Sequence, residues 1–429
     1  MRGKRMLCLG MLALSVSALY GQDIVGDWQG TLKAGSETLR LVVQIAKADA
    51  GGWKATMYSI DQTTDPIPIS SVTLEGSKLK LTVDAVHGVY EGKIAAAGTS
   101  INGTWTQGQP LPLEFHRATK ETAWPLDPSP HSVRFITVDT NVKLEVLDWG
   151  GSGRPVVLLT GLGNNAHVYD EFATKLTPSY HVYGITRRGF GASSAPATGY
   201  SADRLGDDVV AVLDSLKLNR PVLVGHSIGG EELSSVGSRH PEKVAGLIYL
   251  DAAYGYAYYD RSRGDLNVDL VELLRKVKQL QPGKGPQDRK PLIQELLETS
   301  LPGFERDLRE EQKDLEAMPA ALLAAQASES LPAPAQAIMA GLQKYTTIPA
   351  PILAIYALPH DSEGVGGDSA VRAALEARDK VATGAQAKAF EKGVPSARVV
   401  RLPHANHYVF RSNEADVLRE MNAFIATLP

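Results

Sequence analysis

One ten-residue stretch, residues 221–230, constrains the fold of this chain more than any other. An apolar run suited to a buried parallel strand breaks at Gly225-His226-Ser227-Ile228-Gly229 and continues into a segment compatible with a helix. This pattern is typical of a sharp strand-to-helix turn, which needs small neighbours because the backbone is crowded there. It predicts that Ser227 presents its hydroxyl at the carboxyl edge of a sheet, with the Ile228 N–H pointing at the same spot.

The size and charge of the chain limit the classes of protein to consider. Its 429 residues allow two domains, each with a core of its own. The formal net charge of −4 gives no electrostatic reason to expect nucleic acid or an anionic membrane as a partner.

Residues 1–21 are predicted to be a secretory signal peptide. Arg2, Lys4 and Arg5 precede an apolar run over residues 6–19, which is too short to span a bilayer. The single cysteine, Cys8, lies within this segment, so disulfides, thiol catalysis and cysteine-based metal sites are excluded from the mature protein. We therefore expect a periplasmic or secreted protein with no integral membrane segment after signal removal.

Residues 22–118 are predicted to form a small all-β domain. Short alternating runs are separated by turn residues such as Gly51-Gly52 and Asn102-Gly103, as in a series of antiparallel hairpins. Similar sequences around Trp28 and Trp105 predict a barrel or sandwich whose ends meet. Residues 119–131 hold three closely spaced prolines and are predicted to be a linker.

Residues 132–429 alternate between strand and helix patterns. Continuous apolar strands separated by helices indicate a mostly parallel sheet covered on both faces, an α/β fold. From about residue 252 to 348, apolar residues recur at helical spacing, which predicts a helical lid inserted between two strands. A structural insertion with no gating role is the alternative. The predicted strands cover residues 156–159, 181–185, 222–224, 246–250, 352–356 and 397–402.

Four stretches of this second region resemble the α/β-hydrolase-fold serine hydrolases, and the similarity covers roughly the last 300 residues. They are Thr160-Gly161-Leu162-Gly163, Arg187-Arg188-Gly189-Phe190-Gly191, the turn at Ser227, and Leu402-Pro403-His404-Ala405-Asn406-His407. The resemblance implies a catalytic triad in the chain order serine, acid, histidine. The N-terminal β domain resembles modules found ahead of exported bacterial hydrolases, which implies no activity. We expect neither a metal nor a cofactor.

His407 is the expected general base. A serine hydroxyl needs a base to take its proton at neutral pH, and an imidazole suits that task. His407 follows the last predicted strand and precedes an amphipathic helix, which is where this fold places its histidine. His404 is the rival, but it lies closer to the strand end. His226 is expected to have a structural role.

Asp361 is the expected acid, because it follows the strand that ends near residue 356. The family commonly has its acid a little sooner after this strand, which leaves Glu363, Asp368 and especially Asp251 as alternatives. Asp251 ends the preceding sheet strand, a position that some members of the fold use for the acid.

Backbone N–H groups are expected to stabilise the oxyanion of an acyl-transfer reaction. The Ile228 N–H is one candidate. The second is expected from the loop after the strand over residues 156–159, where Thr160-Gly161 replaces the usual His-Gly and Leu162 supplies the N–H.

The leading hypothesis is a secreted carboxylic-ester hydrolase that forms an acyl-enzyme on Ser227, with a small-molecule ester as its substrate. An aminopeptidase or amidase, a lactonase and a C–C bond hydrolase use the same triad and stay open. A ligand-binding or surface-adhesion protein is the non-enzymatic alternative. Four tyrosines at the start of the predicted lid are interpreted either as pocket lining or as packing: Tyr254, Tyr256, Tyr258 and Tyr259.

Overall fold

The computed structural model describes residues 23–34, 37–49, 51–62, 66–127, 129–280, 286–318, 331–361 and 369–429. The predicted signal peptide lies outside the described residues, as do Glu363 and Asp368.

The N-terminal region forms an antiparallel sheet in which nine strands are described. Their order is β4-β3-β2-β1-β9-β8-β7-β6-β5. The outermost strands β4 and β5 are consecutive in sequence, so the chain itself joins the two edges of the sheet, as in a barrel. The strands are β1 (Gly26–Ala34), β2 (Glu37–Lys47), β3 (Trp53–Ser59), β4 (Ile67–Pro68), β5 (Ser71–Glu75), β6 (Lys78–Val83), β7 (Gly88–Ile94), β8 (Ser100–Gln107) and β9 (Gln109–Arg117).

Large aromatic side chains pack among the aliphatic residues in the core of this sheet. Trp28, Tyr90 and Phe115 are almost completely buried. The Trp28 indole N–H donates to the Ile24 carbonyl at 2.9 Å, and the Tyr90 hydroxyl donates to the Ile101 carbonyl at 3.0 Å. These bonds satisfy the polar atoms of the rings, which removes the cost of burying them.

The C-terminal region forms a mostly parallel sheet with eight described strands in the order β10-β11-β13-β12-β14-β15-β16-β17. The strands β10 and β11 are antiparallel, and all pairs from β13 to β17 in that order are parallel. The predicted α/β fold is therefore confirmed. The strands are β10 (Ser132–Asp139), β11 (Val142–Gly150), β12 (Pro155–Leu159), β13 (His181–Ile185), β14 (Val222–His226), β15 (Gly246–Leu250), β16 (Ile352–Ala357) and β17 (Ala397–Leu402).

Helices cover both faces of this sheet, which explains why its central strands are apolar throughout. Every residue of β14, β15 and β16 is buried. One core contains α2 (Ala202–Ser215), α3 (Gly229–Arg239) and part of α8 (Ser369–Gly393). The opposite core contains α1 (Asp170–Leu176), α9 (Val409–Ser412) and α10 (Glu414–Ile425).

Between β15 and β16 the described chain is helical, within the range predicted for the lid. Asp265 caps the first of these helices, since its carboxylate accepts from the Val268 N–H at 3.1 Å. Among the described residues, none of the helices is both long and apolar enough to cross a membrane. The inserted helices are α4 (Leu266–Lys278), α5 (Pro286–Glu295), a π-helical turn (Leu296–Ser300), α6 (Leu301–Ala317) and α7 (Ala333–Met339).

Candidate active site

Ser227 lies on the tight turn between β14 and α3. Its φ of 51° is in the left-handed region, which a non-glycine residue enters only at a local cost. The turn also needs its glycines. A Cβ on Gly225 would lie 2.8 Å from the Gly229 carbonyl oxygen, and one on Gly230 would collide with the Ala252 carbonyl. The crowding expected from the sequence is present, and it projects Ser227 beyond the end of the sheet.

Asp251 lies next to Ser227 at the carboxyl edge of the sheet. The strands β14 and β15 are parallel, and His226 at the end of β14 pairs with Leu250 at the end of β15. The residues that follow, Ser227 and Asp251, therefore leave the sheet side by side. The Ser227 N–H donates to the Leu250 carbonyl at 3.3 Å. Asp251 also has a positive φ, of 48°, and its side chain is completely buried.

The Asp251 carboxylate is surrounded by hydrogen-bond donors. His407 Nδ1 lies 2.6 Å and His360 Nε2 2.7 Å from its Oδ2 atom. Its Oδ1 atom accepts from the Tyr254 hydroxyl at 2.8 Å and from the Ala357 N–H at 3.0 Å. Burial alone would raise the pKa of Asp251, but the bonds to the two histidines outweigh it and hold that pKa well below its usual range.

The structure thus brings His407 to Asp251, the alternative acid of the sequence analysis, while the expected acid Asp361 lies in the stretch after β16. The Asp361 N–H donates to the Ala405 carbonyl at 2.9 Å, in the loop that carries His407. His360, one residue earlier, directs its side chain to Asp251. The stretch after β16 therefore supplies a second imidazole to the buried carboxylate, where the sequence analysis had expected the carboxylate itself.

His360 was not anticipated from the sequence. Its Nδ1 atom lies 3.0 Å from Asp379 Oδ1, and its backbone N–H donates to Asp379 Oδ2 at 2.7 Å. Burial opposes the charged ring, but Asp251 and Asp379 outweigh that effect and raise the pKa of His360 to about 10. The His360 ring, whose charged form is favoured, therefore shares Oδ2 of Asp251 with His407, and the two ring centroids are 6.2 Å apart.

The other two candidate histidines have different surroundings. His404 is exposed, and its N–H donates to the Pro359 carbonyl at 2.8 Å. His226 is buried beneath the His407 loop, with its Nε2 3.0 Å from the His407 carbonyl oxygen and the two rings 4.6 Å apart. Burial, assisted by His407, lowers the pKa of His226 to about 3, so this ring stays neutral and supports the loop.

Arg187 orients the loop that carries the second expected oxyanion donor. Its guanidinium donates to the Thr160 carbonyl at 2.7 Å and to the Gly161 carbonyl at 3.3 Å. Because a trans peptide directs its N–H opposite to its carbonyl, the Leu162 N–H points away from Arg187. The guanidinium is buried and held by two bonds of 2.8 Å to Glu232.

Leu162 and Ile228 meet in one apolar cluster, which brings the two expected oxyanion residues together. Tyr256 belongs to the same cluster, as do Val268 of α4 and Ile338 of α7. Burial raises the pKa of Tyr256 well above its usual range, and a hydrogen bond with the Ser227 side chain opposes that rise. The inserted helices therefore contribute apolar surface beside Ser227.

Comparison with known proteins shows the family of the chain. A family model described as the alpha/beta hydrolase family matches residues 156–420. The chain belongs to this family. The match covers every sheet strand from β12 to β17 and the loop that carries His407.

Among curated relatives, this alpha/beta hydrolase is similar to 2-(acetamidomethylene)succinate hydrolase of Mesorhizobium japonicum, with 28% identity over 24% of this chain and 36% of the relative. It is also similar to a non-heme chloroperoxidase of Streptomyces lividans, with 33% identity over 27% of this chain and 44% of the relative. The chain thus spans less than half of the length of either relative. Among solved structures, the esterase EaEST of Exiguobacterium antarcticum matches with 20% identity, 69% coverage of this chain, full coverage of the esterase and a TM-score of 0.45.

Proposed function

We propose that this alpha/beta hydrolase is an exported serine hydrolase that cleaves small carboxylic esters. The observation that carries the proposal is a strained turn that holds Ser227 beside the buried Asp251, whose carboxylate contacts the partly exposed His407. A serine, an acid and a histidine at these positions follow the chain order of the fold. Export is inferred from residues 1–21 of the sequence.

In the proposed reaction, the Ser227 Oγ attacks the ester carbonyl carbon. His407 takes the serine proton on Nε2, because its Nδ1 is engaged with Asp251. The tetrahedral oxyanion accepts hydrogen bonds from the Ile228 and Leu162 N–H groups. When it collapses, the bond to the alcohol oxygen breaks, and His407 returns the proton to that leaving group. Water, deprotonated by His407, then attacks the acyl carbon; the bond to Ser227 Oγ breaks, His407 returns the proton to that oxygen, and the carboxylic acid is released.

Asp251 is the proposed third member of the triad. Its carboxylate holds the Nδ1–H tautomer of His407 and stabilises the imidazolium that forms when His407 accepts the serine proton. The low pKa of Asp251 keeps it ionised throughout the pH range in which such an enzyme works. Asp361 donates its backbone N–H to the Ala405 carbonyl of the same loop at 2.9 Å.

The apolar cluster beside Ser227 is the proposed site for the acyl group. Leu162, Tyr256 and Met339 are partly buried members of this cluster, so they leave surface that an apolar chain can cover. Since Met339 comes from an inserted helix, we propose that these helices act as the lid and set acyl-chain preference.

The test is hydrolysis of a series of p-nitrophenyl esters with acyl chains of increasing length. Wild-type protein is expected to turn over the short esters and to react with a fluorophosphonate at Ser227. Ser227→Ala is expected to lose both signals, whereas the matched control Ser262→Ala, at an exposed serine, keeps them. Absence of turnover and of labelling in folded wild-type protein would overturn the proposal.

A further inference from the structure

A second group of chemically versatile side chains lies apart from the proposed triad. It consists of Asp127, His131, His167 and Asp170, and we refer to it as the His131 cluster. One ligand-type atom from each residue lies within 4.8 Å of all the others. The first two residues lie in the segment that leads into β10. The other two lie at the 3₁₀ turn Ala166–Tyr169 and at the start of α1.

His131 is the unusual member of this cluster. Its side chain is only 1% exposed, and its two ring nitrogens are buried without a hydrogen-bond partner. Both nitrogens nevertheless face carboxylates: Nε2 lies 3.2 Å from Asp127 Oδ2, and Nδ1 lies 3.0 Å from Asp170 Oδ1. These two contacts replace the water that burial removes, so His131 is enclosed between two carboxylates.

Glu145 and Trp149 contact two members of the cluster and hold their side chains in position. His167 Nδ1 lies 3.1 Å from Asp170 Oδ2, and its other ring nitrogen lies 3.7 Å from Glu145 Oε1. The Trp149 indole N–H donates to Asp170 Oδ1 at 3.0 Å. Metal-binding histidines commonly have a carboxylate against the second ring nitrogen, and metal-binding carboxylates commonly accept a further hydrogen bond.

We propose that the His131 cluster binds one divalent cation of the zinc class. Two imidazole nitrogens and two carboxylate oxygens form a donor set that suits zinc, and the two carboxylates balance its charge. A tetrahedral zinc site with bonds of about 2.0 Å places its ligand atoms roughly 3.3 Å apart. One ligand atom from each of the four residues already lies within 4.8 Å of the others, with a single ring nitrogen from each histidine, so the side chains must approach one another by at most roughly 1.5 Å to bind the ion.

Bound there, the cation is held by one ring nitrogen of His131 together with His167 and the two carboxylates. It also ties the segment leading into β10 to the start of α1, so its expected effect is on stability. Asp127 is the entry point, since its side chain is 41% exposed while the other three ligands are at most 10% exposed. With four protein ligands the site is closed, which is the arrangement of a structural metal.

The experiment uses the full chain, stripped of metal with a chelator and then titrated with Zn²⁺. We expect one Zn²⁺ per chain by mass spectrometry of the metal content and a higher Tm in the loaded protein. Asp127→Asn and His131→Gln are each expected to weaken Zn²⁺ binding by at least about tenfold. If His131→Gln does not fold, the Zn²⁺ affinity of Asp127→Asn alone tests the proposal. The Asp127 side chain is the most exposed of the four ligands, so its replacement is the least disturbing to the fold.

Two control variants make the result specific. His181→Gln removes another imidazole–carboxylate pair, His181 Nε2 with Asp148 Oδ1 at 2.8 Å, and is expected to bind Zn²⁺ like wild type. His360→Gln tests the triad region, whose Asp251, His360 and His407 donors also lie close together. Absence of stoichiometric binding, unchanged binding in Asp127→Asn, or loss only in His360→Gln each overturns the proposal. None of these outcomes depends on esterase activity, so the proposed function is tested separately.

Discussion

Oδ2 of Asp251 accepts from both His407 Nδ1, at 2.6 Å, and His360 Nε2, at 2.7 Å. One carboxylate oxygen thus lies between two imidazoles whose positions in the sequence are 47 residues apart. Because His360 is positively charged, the negative charge that Asp251 offers to His407 is partly neutralised.

The first prediction concerns the acid. Asp251→Asn is expected to lower kcat by about 10⁴, because an asparagine amide does not stabilise the reactive tautomer or the charge of His407. Asp361→Asn is expected to keep kcat within a few-fold of wild type. The measurement is steady-state hydrolysis of a short p-nitrophenyl ester, with folding checked by circular dichroism. A large loss in Asp361→Asn with an active Asp251→Asn would restore the original sequence-based assignment.

The second prediction concerns pH. The pKa of His360 is raised to about 10, so its positive charge is present throughout an assay between pH 5 and about 9. His360→Gln removes that charge, and the imidazolium of His407 is then easier to form. The acidic limb of the kcat/KM profile is therefore expected to move to higher pH, by up to about one unit.

The control for this prediction is His181→Gln, which removes a half-buried histidine elsewhere in the sheet. Its acidic limb is expected to coincide with that of wild type. A shift of the His360→Gln limb to lower pH would contradict the proposed electrostatic arrangement.

The third prediction concerns Arg187. Arg187→Met leaves Glu232 buried without its ion partner and releases the carbonyls of Thr160 and Gly161. Unfolding in urea is expected to show a loss of about 3–5 kcal/mol. Arg134→Met breaks an ion pair whose arginine is 55% exposed, and it is expected to cost about 1 kcal/mol or less. Equal losses in the two variants would contradict this account of the loop.

The fourth prediction concerns Tyr256. Tyr256→Phe removes the hydroxyl that hydrogen-bonds with Ser227 but keeps the ring in its apolar cluster. We expect kcat/KM to fall by about tenfold, the effect of losing one hydrogen bond of roughly 1.4 kcal/mol. Tyr258→Phe is the matched control, because Tyr258 packs against Phe390, and its kinetics are expected to stay close to wild type. An unchanged Tyr256→Phe enzyme would mean that the hydroxyl takes no part in the reaction.

Local patterns in the sequence were sufficient to predict the fold. The apolar runs over β12 to β16 indicate strands buried on both faces, and the glycines around Ser227 indicate a turn that only small residues allow. Both signals are short-range, because they depend on neighbours in the chain.

The acid could not be assigned in the same way. Asp251 and Asp361 each follow a parallel strand, and both satisfy the order serine, acid, histidine. Which of them contacts His407 depends on how the loops after β15, β16 and β17 fold over the sheet edge. One of the contacts that fixes these loops joins His360 to Asp251, which are 109 positions apart in the sequence. For the same reason, no local signal predicted that Arg187 would bind the carbonyls of the Thr160 loop.

The left-handed backbone conformation of Ser227 is formed when the chain folds and not when a substrate binds. The backbone sets the direction of the Ser227 side chain from the turn before any substrate arrives, and Gly225 and Gly230 allow the close backbone approach that this turn needs. The unfavourable torsion is therefore imposed once per molecule, when the chain folds, and is not repeated in each reaction cycle. In the proposed ester hydrolysis, each substrate molecule therefore binds to a turn whose backbone already has the conformation used for the attack.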